Sequence, residues 1–141
     1  MIIFFFETNF ELFQKAQIKI WLRKIAEREN KRIKELNIVF YNDEQLLDFN
    51  KKYLNHDTYT DIITFDDSKK NILKGDILIS VERVKENAET YHCTFEEELR
   101  RVMAHGLLHL CGYNDKDEDE KMLMNQKEEE ALVLFNELYN S

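Results

Sequence analysis

Between Thr94 and Gly112 the chain carries the start signal, the core stripe and the stop signal of one helix. Thr94 followed by Glu97 forms a T-x-x-E capping pair, in which the threonine oxygen takes an orphan backbone N–H at the helix start. Leu99, Val102, Met103, Leu107 and Leu110 then recur at helical spacing and mark a buried face. Gly112 follows, the residue type that most readily adopts the left-handed conformation that ends a helix. A helix striped in this way needs an apolar layer to pack against, so the remaining sequence must supply one.

It does so with short apolar strands. "IIFFF" (2–6), "LNIVFYN" (36–42), "TDIITFDD" (60–67) and "GDILISV" (75–81) are rich in β-branched and aromatic residues. The polar "SKKN" between the last two suggests a hairpin turn. Residues 10–31 read as an amphipathic helix with Phe13, Ile18, Trp21, Leu22 and Ile25 on its inner face. Asn42 and Gln45 form a capping box for a short helix carrying Leu46, Leu47, Phe49 and Tyr53. Another helix runs through Val84 and Ala88 to about Tyr91, and a last one from about Asp117 to Tyr139. The order mixes strands and helices without a clean β–α–β alternation, which favours an α+β fold. Proline is absent and glycine occurs three times, so no stretch reads as a linker, and residues 1–141 are expected to form one domain.

Several function classes are disfavoured. No apolar run approaches the ~20 residues of a membrane span, and the opening "MIIFFFE" lacks the basic start and cleavage site of a signal peptide. Cys93 and Cys111 form no CxxC pattern, so reduced thiols in a cytoplasmic protein are expected. A net charge of -8 argues against a nonspecific nucleic-acid coat. The charge is uneven, however. Seven basic residues lie between Lys19 and Lys34, including Arg23, Lys24, Lys31 and Arg32, whereas acids dominate from Asp115 to Glu130. Each run is either a solvated helix face or, for the basic one, a docking patch for a polyanion.

The helix that begins at Thr94 also carries chemistry. His105 and His109 stand one turn apart and project from one face, offset from the apolar stripe. Neutral imidazole is a good ligand for zinc and its neighbours. Spacing alone leaves open two ordinary histidines, and two helical ligands do not complete a site. Gly112 turns the chain back, and Asp115 then comes within reach as a third ligand, leaving a fourth position for water or substrate. The position after His105, where H-E-x-x-H proteases carry their general base, is Gly106. That disfavours peptide hydrolysis but leaves phosphoryl chemistry available. Glycine inside a helix costs ~1 kcal/mol, so Gly106 is expected to serve a close approach of backbone or substrate to the metal.

"HGLLHLCGYND" (105–115) resembles the H-G-x-L-H-L-x-G-Y-D-H signature of the YbeY-type endoribonucleases. "TDIITF" (60–65) and "GDILIS" (75–80) resemble two further stretches of that family, and Asn50, Tyr53 and Asp57 fit its N-x-x-Y-R-x-x-D spacing. The resemblance implies a zincin-like α+β domain with a mixed sheet of about four strands and the metal helix, near 94–111, beneath it. It implies a zinc site at His105, His109 and Asp115. It implies cleavage of single-stranded RNA rather than DNA, maturation of the 16S rRNA 3′ end and ribosome quality control. It also points to His56, Asp57 and Thr60 as substrate-binding candidates. Two residues depart from the family: Asp115 replaces the third histidine, and Leu54 replaces an arginine suited to clamp a phosphate. His56, two residues after Leu54, is the candidate replacement cation, with a plain solvent-facing imidazole as its alternative. Two rival readings remain from the residues: a 2-His-1-carboxylate Fe(II) oxygenase, or a non-catalytic ribosome-binding factor whose metal ties the last helix to the core.

Overall fold

The computed structural model describes Met1 to Asn140. Its sheet consists of β1 (Ile2–Phe6), β2 (Arg32–Tyr41), β3 (Ile62–Asp66) and β4 (Ile72–Ser80), in the spatial order β1-β2-β4-β3. β1, β2 and β4 are parallel to one another, and β3 forms the expected hairpin with β4 as an antiparallel edge. Five helices complete the fold: α1 (Lys15–Arg28), α2 (Asp43–Leu54), α3 (Val81–Thr90), α4 (Phe95–Leu110) and α5 (Glu118–Tyr139). The architecture is the expected α+β fold with a mixed sheet.

Strand alternation divides the side chains between two faces. Ile38 and Phe40 on β2 and Ile77 and Ile79 on β4 enter the main core, which α1, α4 and α5 close. Ile63 and Leu78 point the other way and meet Leu46 of α2 in a smaller cluster. α4 is the central helix. Met103 and Leu107 are fully buried, and burying such side chains contributes roughly 2 kcal/mol each. The Trp21 indole fastens α1 to α5 by donating to the Ala131 carbonyl at 2.7 Å and meeting Phe135 edge-on. The capping box of Asn42 and Gln45 is complete. Thr94 accepts from the Glu97 N–H, half of its anticipated pair.

Three expectations need correction. α1 starts at Lys15, not at residue 10, because Phe10 and Leu12 are drawn into the core ahead of the helix: Leu12 is buried and Phe10 packs on Phe6, Phe40 and Phe95. Phe13, placed on the inner helix face by spacing, is 66 % exposed and precedes the helix. β2 starts at Arg32, four residues earlier than its hydrophobic run suggests. Ile33 and Leu36 are both buried although three apart, and a register irregularity between Ile33 and Glu35 brings both to the core side.

Gly106 also has a different role from the one anticipated. A Cβ there would lie 2.9 Å from Ile77 Cδ1 and 3.0 Å from Ile62 Cδ1, so glycine lets α4 lie close against β4 and β3. A Cβ at Gly75 would collide with the backbone carbonyl of Phe65. Isoleucine tips can rotate away, whereas a strand backbone cannot. Gly106→Ala is therefore expected to lose at most about 2 kcal/mol, its clash partly offset by helix propensity. Gly75→Ala should lose more and displace β3. Thermal melts of the two variants side by side check the order.

Candidate metal centre

The end of α4 builds the site through its backbone. Gly112 adopts φ +106°, its N–H bonds the His109 carbonyl at 3.0 Å, and the Tyr113 N–H bonds the Leu108 carbonyl at 3.1 Å. This pair of bonds is a Schellman turn, which reverses the chain at once. Two consequences follow. Asp115 swings back beside the helix, and the Tyr113 carbonyl lands 2.8 Å from His109 Nδ1. A carbonyl only accepts, so Nδ1 carries the proton, and the lone pair of neutral His109 lies on Nε2.

His105 is fixed by a side chain instead. Its Nδ1 lies 2.7 Å from Oε2 of Glu128, a residue of α5 only 5 % exposed. With that Nδ1 donating, His105 also presents its lone pair at Nε2. The two Nε2 atoms face each other at 3.0 Å, and Asp115 Oδ2 stands 3.2 Å from one and 3.4 Å from the other. Three donors converging in this way repel unless a cation or proton sits among them. Four ligands held tetrahedrally at zinc–nitrogen distances of ~2.0–2.1 Å would be spaced by roughly 3.3 Å. The donors thus fit a zinc-sized ion with one position left open. His105, His109 and Asp115 are the His/Cys/Asp/Glu group among the described residues whose ligand atoms gather in this way. Burial alone would lower the His105 pKa, but its Glu128 hydrogen bond and the charges of Glu128, Asp115 and Asp61 outweigh it and raise the value. Protons therefore compete with a metal at His105 as pH falls.

The centre opens into a cleft of about 1440 Å³. One polar stripe of α4 lines it, formed by Glu98, Arg101, His105 and His109. Arg101 pairs with Glu129 at 2.7 Å and lies 3.7 Å from Glu128. Glu98 is 3 % exposed, and burial pushes its carboxyl up to about 7. Asp61 at the mouth of β3 accepts from Asn87 at 3.1 Å, and burial raises its pKa as well.

His56, Leu54 and Thr60 line the same cleft. Leu54 is 40 % exposed and brings no charge. Thr60 turns its hydroxyl to the Ile62 carbonyl at 3.2 Å. Asp57 pairs with Lys51 at 3.4 Å, is largely exposed and does not line the cleft. Buried Asn50 pins this loop through the Thr58 carbonyl at 2.8 Å. Asp117 caps α5 by accepting from the Glu120 N–H. Cys111 does not join the converging group, and burial pushes its thiol up to about 12. The basic segment from Lys19 to Lys34 contributes no side chain to the cleft, and Arg23, Lys24 and Arg32 are exposed on α1 and at the start of β2.

Glu128 escaped the reading of the sequence because it lies in an acid-rich run that looks solvated. A signal existed. Glu128 falls on the inner face that also carries Met124, Ala131 and Phe135, all buried, and a lone acid on such a face needs a partner.

Comparison with known proteins settles the family. The family model described as Endoribonuclease YbeY matches residues 5–136. The chain belongs to the YbeY endoribonuclease family. It is 53 % identical over 135 residues to the Endoribonuclease YbeY of Cytophaga hutchinsonii, covering 94 % of both chains. It is 50 % identical over 133 residues to that of Christiangramia forsetii, covering 94 % of this chain and 93 % of the relative. Among solved structures, the solution structure of TM1509 from Thermotoga maritima aligns with TM-score 0.70 at 25 % identity, covering 99 % of this chain and 92 % of that one. No helix among the described residues is long and apolar enough to cross a membrane.

A site with three protein ligands has none to spare. Replacing His105, His109 or Asp115 singly with alanine should each reduce bound metal sharply, read by elemental analysis of dialysed protein. Full occupancy in Asp115→Ala would remove Asp115 from this YbeY site.

Proposed function

We propose that this chain is a zinc-dependent endoribonuclease that cuts single-stranded RNA, acting as one unit over residues 1–141 in the cytoplasm. In the cell its substrate is rRNA at the 16S 3′ end, and its partners are the ribosome or small-subunit components in maturation and quality control. The observation that carries the reading is the convergence of His105 Nε2, His109 Nε2 and Asp115 Oδ2, 3.0 to 3.4 Å apart, at an open cleft in a YbeY-family chain. His105, His109 and Asp115 would hold the zinc. Bound there, zinc would supply Lewis acidity toward a phosphoryl oxygen or water. A carboxylate ligand lowers the site's charge by one relative to a third histidine, so its Lewis acidity is lower than that of a three-histidine site.

The chain's own residues do the rest. Glu128 and the Tyr113 carbonyl hold both imidazoles with their lone pairs facing the centre. The loop pinned by Asn50 presents His56 and Thr60 to the cleft. Leu54 offers no cation, so protonated His56 contacts the scissile phosphate or its neighbour and balances charge that develops on the nonbridging oxygens. Thr60 and Asp57 complete the substrate-binding set, with Asp57 at the rim.

Zinc-loaded protein should cut single-stranded RNA and leave a duplex of the same sequence intact, and chelation should abolish cleavage. Loss of thermal stability on chelation, with no RNA cut by the loaded protein, would point instead to a structural metal in a binding factor.

The role of His56 makes a separate demand. His56→Ala should slow cleavage of single-stranded RNA by about ten-fold or more at fixed zinc occupancy, and Leu54→Arg should make activity less dependent on His56. Equal cleavage rates for parent and His56→Ala would exclude the role.

A further inference from the structure

β3 is an unprotected sheet edge in the wall of the metal cleft. The Ser80 N–H bonds the Asp61 carbonyl, and the Asp67 N–H bonds the Lys74 carbonyl, so the odd-numbered residues of β3 exchange backbone bonds with β4. The N–H and C=O groups of Ile62, Thr64 and Asp66 therefore point away from the sheet. Among the described residues only the Ile62 carbonyl has a partner, the Thr60 hydroxyl. All three residues line the cleft. The strand has no lysine, proline or bulge of the kind that blunts edges. Ile62 lies over Gly106, next to His105, so a chain added to this edge runs beside the metal helix.

The walls of the cleft are acidic. Seven carboxylate side chains line it, against Arg101 and Lys116 as fixed cations. Arg101 is already engaged by Glu129. Glu98 stands 3.5 Å from Arg101 Nε, yet its buried Oε1 has no hydrogen-bond partner. Phosphates find attraction here only at the metal and its few neighbouring cations, whereas lysine and arginine side chains find it at Asp66, Glu97 and Glu129.

We propose that β3 and these walls bind an extended, lysine- and arginine-rich segment of a protein partner by strand addition. Its backbone pairs with Ile62, Thr64 and Asp66, and its cationic side chains meet Glu97 and Glu129 on the cleft wall. A segment seated there covers the approach to His105 and His109, so it and RNA exclude each other from the centre. The binding stands independently of the RNA reading; only the exclusion rests on it.

The test uses zinc-loaded full-length protein and fluorescence anisotropy. The probe is a labelled peptide of about eight residues alternating Lys or Arg with Val or Thr, long enough to pair with the whole of β3. Binding should weaken by about ten-fold or more when the basic residues become Glu, and by a similar factor when the amides facing β3 are N-methylated. Methylating the alternate amides should leave it unchanged. Thr64→Pro removes one outward N–H at a position where an edge strand tolerates proline, and should weaken binding while zinc content is kept. Should that variant misfold, the N-methylated peptides still decide. Equal affinity of the two methylated series, equal affinity of the acidic peptide, or no binding of the basic one overturns the proposal. Peptide binding without RNA cleavage would leave the proposal standing and fell the RNA reading; cleavage without peptide binding would do the reverse.

Discussion

The site depends on where two protons sit. A neutral imidazole carries one lone pair, and only if Nδ1 is protonated does Nε2 become a ligand. In this chain each Nδ1 is committed to an acceptor, the Tyr113 carbonyl for His109 and the Glu128 carboxylate for His105. Both commitments come from outside α4. The first is a by-product of the turn that ends the helix, because the bonds that close the Gly112 turn also bring the Tyr113 carbonyl under His109. The second crosses from α5. The turn is itself tied down, since the Tyr113 hydroxyl donates to Glu29 at 2.6 Å and Lys127 reaches the same carboxylate. Two candidate ligands on one helix are thus held from three elements, the arrangement that gives a metal site its rigidity.

α4 must be apolar toward the sheet and polar toward the cleft within the same sixteen residues. Glycine at position 106 reconciles the two demands, letting the backbone approach Ile62 and Ile77 while His105 and His109 stay on the open side. The close approach brings its own electrostatic consequence. Glu98, Asp61 and Glu128 are drawn into low-dielectric surroundings together, and burial and their mutual repulsion raise Glu98 and Asp61. Arg101 threads among Glu98, Glu128 and Glu129. Carboxylates consequently outnumber the fixed cations of the cleft, and a bound dication would be its main positive charge.

Most of the frame was legible in the sequence, for local reasons. Thr94 and Gly112 bound α4, Asn42 and Gln45 cap α2, and the polar turn between β3 and β4 marks the hairpin, because capping and turn chemistry act between residues close in the chain. Likewise His105, His109 and Asp115 span eleven residues, so helix geometry and one glycine turn nearly place them. What failed at sequence level failed where distant packing overrides local pattern. Phe10 and Leu12 leave the helix for a cluster built by Phe40 and Phe95, and the irregularity at Ile33 disguises the start of β2.

The sequence by itself therefore brought out the candidate triad His105, His109 and Asp115, the helix that bears its two histidines and the uncharged side chain of Leu54. Only the tertiary structure decided what those residues face. It assigned Gly106 to helix–sheet contact, turned Glu128 from an apparent surface acid into the partner of His105, and put β3 at the edge of an acidic cleft. The physical reason is range. Capping, turning and helical spacing are settled within a few residues, whereas Glu128 and His105 are 23 residues apart and meet only because α5 packs on α4. Burial, charge and proton placement follow from that meeting.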